Sequence, residues 1–234
     1  MIHKNHILTF ALLAFTLFTI VNGCEKDYEP LTQPVSKSFT EEFDTVINLY
    51  SKGWAFINNS RPLGAATWQQ GVYENGKMGP DGFPAHSYTS SGDEYIFAGY
   101  ASGSGLATLS SWMMTPEIEM KNGDVFSFYT RTYTGSTFPD RLQIRFNPVD
   151  GSTDVGHDAT SVGKFTTLLG DINPSLATGT NGYPQKWTKY QFTLSGLNGI
   201  VKRRIAFRYY VTNGGPNGGN SNAIGIDQFH FESL

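Results

Sequence analysis

Arg203-Arg204-Ile205-Ala206-Phe207-Arg208-Tyr209-Tyr210-Val211-Thr212 decides the fold class. Successive side chains of an extended strand point to opposite sides, so Ile205, Phe207, Tyr209 and Val211 share one face. The same period of two runs through Leu142, Ile144 and Phe146, which alternate with Arg141, Gln143 and Arg145. It recurs in Val125 to Thr132, after the turn Lys121-Asn122-Gly123-Asp124, with Phe126 and Phe128 opposite Ser127, Tyr129 and Arg131. Trp187 to Leu194 repeats it. Each of these strands has one apolar face to cover, and the chain offers no convincing amphipathic helix to cover it. Sheet must therefore pack on sheet, which predicts an all-β sandwich of two mainly antiparallel sheets.

Composition agrees. The chain holds 26 glycines, 17 phenylalanines and 12 tyrosines, and only 16% of its residues are charged, against about 25% in ordinary globular domains. Tyr95 to Tyr100 and Leu109 to Thr115 are further strand-like runs, whereas Tyr73 to Glu94 is a long excursion rich in Gly and Pro. Loops of that length are commonly functional or disordered. A Gly/Asn stretch, Asn213 to Asn222, joins the last two strands. Net charge is -3 with lysines and arginines scattered along the chain, which is not the footprint of a nucleic-acid binder.

The N-terminus carries a different signal. Lys4 precedes an uncharged apolar run from Ile7 to Val21, followed by Val21-Asn22-Gly23-Cys24, and Cys24 is the only cysteine. The run is too short for the ~20 residues of a spanning helix, and the small residue before the thiol suits a cleavage site. The expectation is a bacterial lipoprotein: residues 1–23 a signal peptide, Cys24 lipidated and held by outer-membrane lipid, and 24–38 a flexible tether containing Pro30 and Pro34. Glu25-Lys26-Asp27-Tyr28-Glu29 is the type of acid-rich tag that sends lipoproteins to the outer face of the outer membrane. The folded domain is expected over 39–234, lipid-anchored and facing the cell exterior.

Several blocks together carry a family resemblance. They are Trp54-Ala55-Phe56 with Asn59-Ser60, Trp68-Gln69-Gln70-Gly71, Ser110-Ser111-Trp112-Met113-Met114-Thr115-Pro116-Glu117-Ile118, Pro139-Asp140-Arg141-Leu142-Gln143 and Ile224-Gly225-Ile226-Asp227. With Asn122-Gly123-Asp124 leading into Phe126 to Thr132, the chain resembles the choice-of-anchor J family over nearly all of 39–234. Those domains are related to cleaved-adhesin and MAM-type modules. The resemblance implies jelly-roll topology and a non-enzymatic extracellular adhesion or recognition module.

Independently of family, Glu41 falls on the face of Phe39 and Phe43, and Asp227 on the face of Phe229 and Phe231, by the period of two. Burying an unpaired carboxylate costs several kcal/mol. In a jelly roll the first and last strands commonly lie side by side, so the two acids are expected to share a structural calcium ion, an oxygen-seeking cation. Asp44, Asp93 and Glu94 are further candidate ligands, and calcium in cleaved-adhesin relatives favours the reading. The alternative is that both acids pair with arginines or accept backbone N–H bonds.

Catalysis finds little support. The sequence has no Gly-x-Ser-x-Gly elbow and no phosphate loop, and His86, His157 and His230 are dispersed. A glycoside hydrolase or accessory enzyme domain stays open only because sequence does not give carboxylate separations. The ligand is expected to be a glycan or a host or matrix protein. In the carbohydrate-binding alternative, Trp68, Gln69, Tyr73, Phe83 and Tyr88, in or beside the long excursion, would meet sugar, and an outer-membrane transporter would be a partner in glycan uptake. Trp54, Trp112 and Trp187 are expected in the core.

Overall fold

The computed structural model describes residues 37–73, 82–89 and 91–234. The expected signal peptide, Cys24 and the tether up to residue 36 lie outside these residues, as does 74–81 of the long excursion. In chain order the strands are β1 (Phe39–Glu41), β2 (Ala55–Asn58), β3 (Arg61–Leu63), β4 (Gln69–Gln70), β5 (Ile96–Gly99), β6 (Gly103–Met114) and β7 (Ile118–Met120). They continue as β8 (Val125–Thr132), β9 (Leu142–Phe146), β10 (Thr167–Ile172), β11 (Thr188–Thr193), β12 (Val201–Arg203), β13 (Ile205–Gly214) and β14 (Ala223–Glu232). Among the described residues, helical structure is confined to short 3₁₀ turns such as Val46–Leu49.

The first sheet is ordered β11-β8-β14-β5-β4, with β1 also on β14; the second is ordered β10-β9-β13-β6-β2, with β3 also on β6. The pairings within both are antiparallel. This is the all-β sandwich that the alternation predicts. Ile96, Phe126, Phe128, Ile224, Ile226, Phe229 and Phe231 of the first sheet meet Met113, Leu142, Ile144, Phe207, Tyr209 and Val211 of the second in one core. Phe207 meets Phe128 edge-on at 4.9 Å and 85° and Phe229 at 5.9 Å and 88°, the edge-to-face arrangement that aromatic quadrupoles favour. Each such buried ring is worth about 1.5–3 kcal/mol over its exposed state.

A polar tie crosses this core. Asp140 has no exposed surface. It accepts from the Tyr209 hydroxyl of the second sheet at 2.6 Å and from the Asn222 N–H at 2.8 Å, and its other oxygen lies 2.7 Å from the Thr132 hydroxyl of the first. Thr132 Oγ1 is also 2.7 Å from the Ala223 carbonyl, and a hydroxyl has one hydrogen to give. A neutral Asp140 carboxyl would resolve the shortage by donating to Thr132 and leaving the Thr132 hydrogen for Ala223. Burial pushes the Asp140 carboxyl up to about 6, and the bonds that Tyr209, Thr132, Asn222 and Ala223 give the ionised form oppose it.

Both sheets also carry aromatic clusters on their outer faces. On the first sheet, Phe83, Ala85, Tyr95, Phe97, Tyr133 and Ala223 pack together, with half-buried Trp187 against them. The described part of the long excursion, 82–89, supplies Phe83, and Trp187 Nε1 donates to the Pro84 carbonyl at 2.8 Å. Gly225 makes room for this layer, since a Cβ there would come within 2.6 Å of the Phe83 ring. On the second sheet, Trp112, Met114 and Ala206 are covered by Val155 and Phe165. Of the tryptophans expected in the core, Trp54 lies between the sheets and Trp112 is fully buried in the cluster on the second sheet, whereas Trp187 is only half-buried.

One feature of β14 overturns an expectation. Asp227 is opposite Tyr129 but His230 is opposite Ser127, so β14 spends three steps where β8 spends two. The extra residue is a bulge, with Gln228 at φ 50°, and a one-residue insertion reverses the faces beyond it. Ile224 and Ile226 point into the core before the bulge, and Phe229 and Phe231 point into it afterwards. Asp227 therefore lies with Gly225 on the outer face, not on the face of Phe229 and Phe231.

Candidate functional site

The side chains singled out in the sequence do not assemble into one site. Glu41 does share a face with Phe39, which packs on Phe229 and Phe231, but its carboxylate is held by Lys52 Nζ at 2.8 and 3.0 Å and by the Phe43 N–H at 3.3 Å. Asp227 accepts from the His86 and Ser87 N–H groups at 2.8 and 3.1 Å on one oxygen and from the Gln228 N–H at 2.7 Å on the other. The backbone N–H bonds are those of the alternative reading, whereas the cation that holds Glu41 is Lys52 and not an arginine. Burial pushes the Asp227 carboxyl up to about 7 against those three amides. Glu94 takes both the N–H and the hydroxyl of Thr89, Asp93 takes the Tyr73 N–H, and Asp44 is exposed. Glu41 and Asp227 are each held by donors of their own and lie on opposite faces of the sheet, so the set does not fit a calcium ion bridging the two. Among the described residues no group of three or more His, Cys, Asp or Glu is placed to hold a metal.

The expected sugar-binding aromatics are also dispersed. Trp68 is in the core and donates from Nε1 to the Ser111 carbonyl, and Phe83 is fully buried in its cluster, so neither ring offers a face to a ligand. Tyr73 is half-buried and Gln69 exposed, and Tyr88 is 54% exposed. Trp68 misleads because it sits beside polar residues between short strands, and its burial comes from distant strand β6.

The outer face of the second sheet does gather charged, amide and aromatic side chains. Strand pairing places Arg141 of the β9 segment opposite Tyr210, and Gln143 opposite Arg208 on β13 and Asp171 on β10. Tyr210 is flanked by two guanidiniums, Arg208 at 3.9 Å and Arg141 at 5.2 Å from its ring centre. Arg208 also lies 4.8 Å over Trp112. Arg141 forks onto Asp171 at 2.8 and 2.6 Å, the geometry in which a guanidinium best reads a carboxylate. Arg208 is buried and donates to the Ser110 hydroxyl, to Gln143 Oε1 and to the Ala159 carbonyl. Arg145 donates to the same Gln143 Oε1 at 2.9 Å and to the Phe165 carbonyl at 3.1 Å. Burial lowers the Arg208 guanidinium to about 9.

The loop 150–166 forms a wall beside this platform. It is stiffened by Asp158, which accepts from Thr160 and Ser161, and by Asp150, which accepts from Lys164 and Ser152. Fixed planar groups, one half-buried ring and several fork donors suit recognition by stacking and hydrogen bonding. Nothing in the group pairs a nucleophile with a base. A groove of about 490 Å³ elsewhere, lined by Phe39, Trp54 and Pro116, has Lys52 paired with Glu41 and Lys37 with Glu119, and its Glu117 lies 4.0 Å from Arg204.

No protein-family profile matches the chain, and no curated protein matches it. Solved structures do. The K1 cleaved adhesin domain of Lys-gingipain from Porphyromonas gingivalis W83 superposes with a TM-score of 0.51 at 16% identity, covering 84% of this chain and 98% of that one. The K3 domain gives 0.53 at 14% identity over 84% and 99%, and the K2 domain 0.50 at 15% over 84% and 98%. At such identities the likeness is one of fold alone, a jelly-roll sandwich of the shape those domains have.

Proposed function

We propose that this chain is a non-enzymatic cell-surface binding module of the choice-of-anchor J type, and that the Arg141–Tyr210–Arg208 face of the second sheet receives an extracellular glycan. The observation that carries the reading is that face itself: a half-buried tyrosine ring with two guanidiniums packed against it, Gln143 and Asp171 beside it and the hydrogen-bonded 150–166 loop adjoining. Sugars are met by ring faces together with planar hydrogen-bonding groups, and these are preorganised here by bonds within the sheet. In this reading Cys24 is the lipidated residue, the domain faces outward from the outer membrane, and an outer-membrane transporter is a natural neighbour.

Glycan and matrix-protein arrays probed with the purified protein test this. Retention of a glycan that Tyr210→Ala abolishes, with the melting temperature kept, is the expected result. Binding confined to matrix proteins would instead favour an adhesin and displace the glycan reading.

A further inference from the structure

We infer that the glycan taken by this face is acidic, bearing carboxylate or sulfate groups; this rests on the glycan reading above. Three guanidiniums, Arg141, Arg145 and Arg208, share the platform, and among the described residues only Arg141 has a carboxylate within ion-pair distance, Asp171 at 2.6 Å. Arg208 is satisfied wholly by neutral acceptors. Arg145 likewise bonds only a side-chain amide and a backbone carbonyl. One neutral oxygen, Gln143 Oε1, bridges the two.

The remaining charged groups acting on this patch do not cancel the excess. Arg141 and Gln143 hold Asp171, whose charge also acts on Arg145, and Asp158 acts on Arg208 through space, so two carboxylates stand against three guanidiniums. The surplus is local, because the whole chain carries a net charge of -3. Guanidiniums present planar forks that match carboxylate and sulfate oxygens, and Arg141 already holds the Asp171 carboxylate in that way. An acid group arriving beside Arg145 would complete the second fork while the exposed part of Tyr210 adjoins the sugar. Attraction of this kind between partly exposed charges weakens as salt shortens the screening length.

The test compares polygalacturonate, hyaluronan and dextran sulfate with their neutral counterparts, the two carboxyl-reduced polymers and dextran, using the purified full chain. At least one acidic polymer should bind about tenfold or more tightly than its counterpart. The preference should fade as salt rises from about 0.05 to about 0.5 M. Arg145→Gln and Arg145→Glu should remove it with melting preserved, while Lys189→Gln on the edge strand of the other sheet should leave it intact. Equal affinity for acidic and neutral polymers would overturn the acidic-ligand inference and leave the glycan reading standing. A preference that survives Arg145→Glu would place the binding elsewhere and also overturn it. Retention of no polysaccharide at all would remove both.

Discussion

Replacing Asp140 separates two accounts of the tie between the sheets. Asp140→Ala removes the acceptor for the Tyr209 hydroxyl and the Asn222 N–H and the partner of Thr132. Each buried donor left unmade costs about 1–3 kcal/mol, so the sum, with some relaxation, is about 4 kcal/mol. In a domain of this size 1 kcal/mol moves the melting temperature by about 2–4 °C, so a fall of roughly 8–16 °C is expected. Asp140→Asn should behave differently, because the amide reproduces the protonated acid: its oxygen accepts from Tyr209 and Asn222, and its NH₂ donates to Thr132. That variant should lose less than about 1 kcal/mol, near the net worth of one ordinary hydrogen bond. The pH dependence follows from the raised carboxyl. The native state holds the proton up to about 6, against 3.8 in the unfolded chain. The stability this contributes is full below about 3.8 and is lost as pH rises to about 6. Wild type should therefore lose about 3 kcal/mol relative to Asp140→Asn across that window. Urea unfolding of the three proteins between pH 4 and 7 measures it. If Asn costs as much as Ala, or the difference between Asn and wild type is flat with pH, the proton-sharing argument is wrong.

Other outcomes can be checked as directly. Asp227→Ala should speed amide exchange at His86 and Ser87 at least tenfold while leaving Phe128 protected, since its carboxylate holds that loop to the sheet; unchanged exchange would refute the clamp. Trp68→Ala should cost about 3–5 kcal/mol, the range for emptying a large aromatic site in a core; loss of ligand binding with unaltered stability would contradict its burial. Arg208→Lys should cost about 2 kcal/mol, because a lysine cannot reproduce three forked bonds to Ser110, Gln143 and Ala159; equal urea midpoints would contradict that role. Cys24→Ala should release the protein from the membrane fraction, and continued retention without attached lipid would end the lipoprotein proposal.

The alternation in Ile205 to Val211 and Leu142 to Phe146 was legible because both strands keep an unbroken period of two and both bury the expected face. β14 was not, because its bulge falls at Gln228. A positive φ at a non-glycine residue leaves no mark in composition, so counting by twos carried Asp227 to the wrong side. The recognition platform was half visible. Arg141, Gln143 and Arg145 could be read as one polar face, but nothing local says that β9 pairs with β13 in a register bringing Arg141 to Tyr210. The partners of the two acids depend on such long-range matters too: Lys52 reaches Glu41 from the far side of a 3₁₀ turn. The excursion drew attention to Phe83 and Tyr88 as loop residues, yet a loop that brings its own aromatic rings back to the sheet behaves as a covering layer.

The position of β1 sets how the domain bears mechanical load. β1 has three residues, Phe39 to Glu41, and is joined by backbone bonds to β14. The Ser233 N–H reaches back to Ser38 Oγ, and the Leu234 N–H to Asp124. A pull arriving through Lys37 is thus taken first by this short seam, by the packing of Phe39 on Phe229 and Phe231, and by the Lys52–Glu41 pair. The Arg141–Tyr210–Arg208 face lies on the other sheet. Under tension the seam can peel back and lengthen the chain while those three side chains keep their geometry, so in the proposed lipid-anchored binder yielding at the N-terminal end would protect the grip.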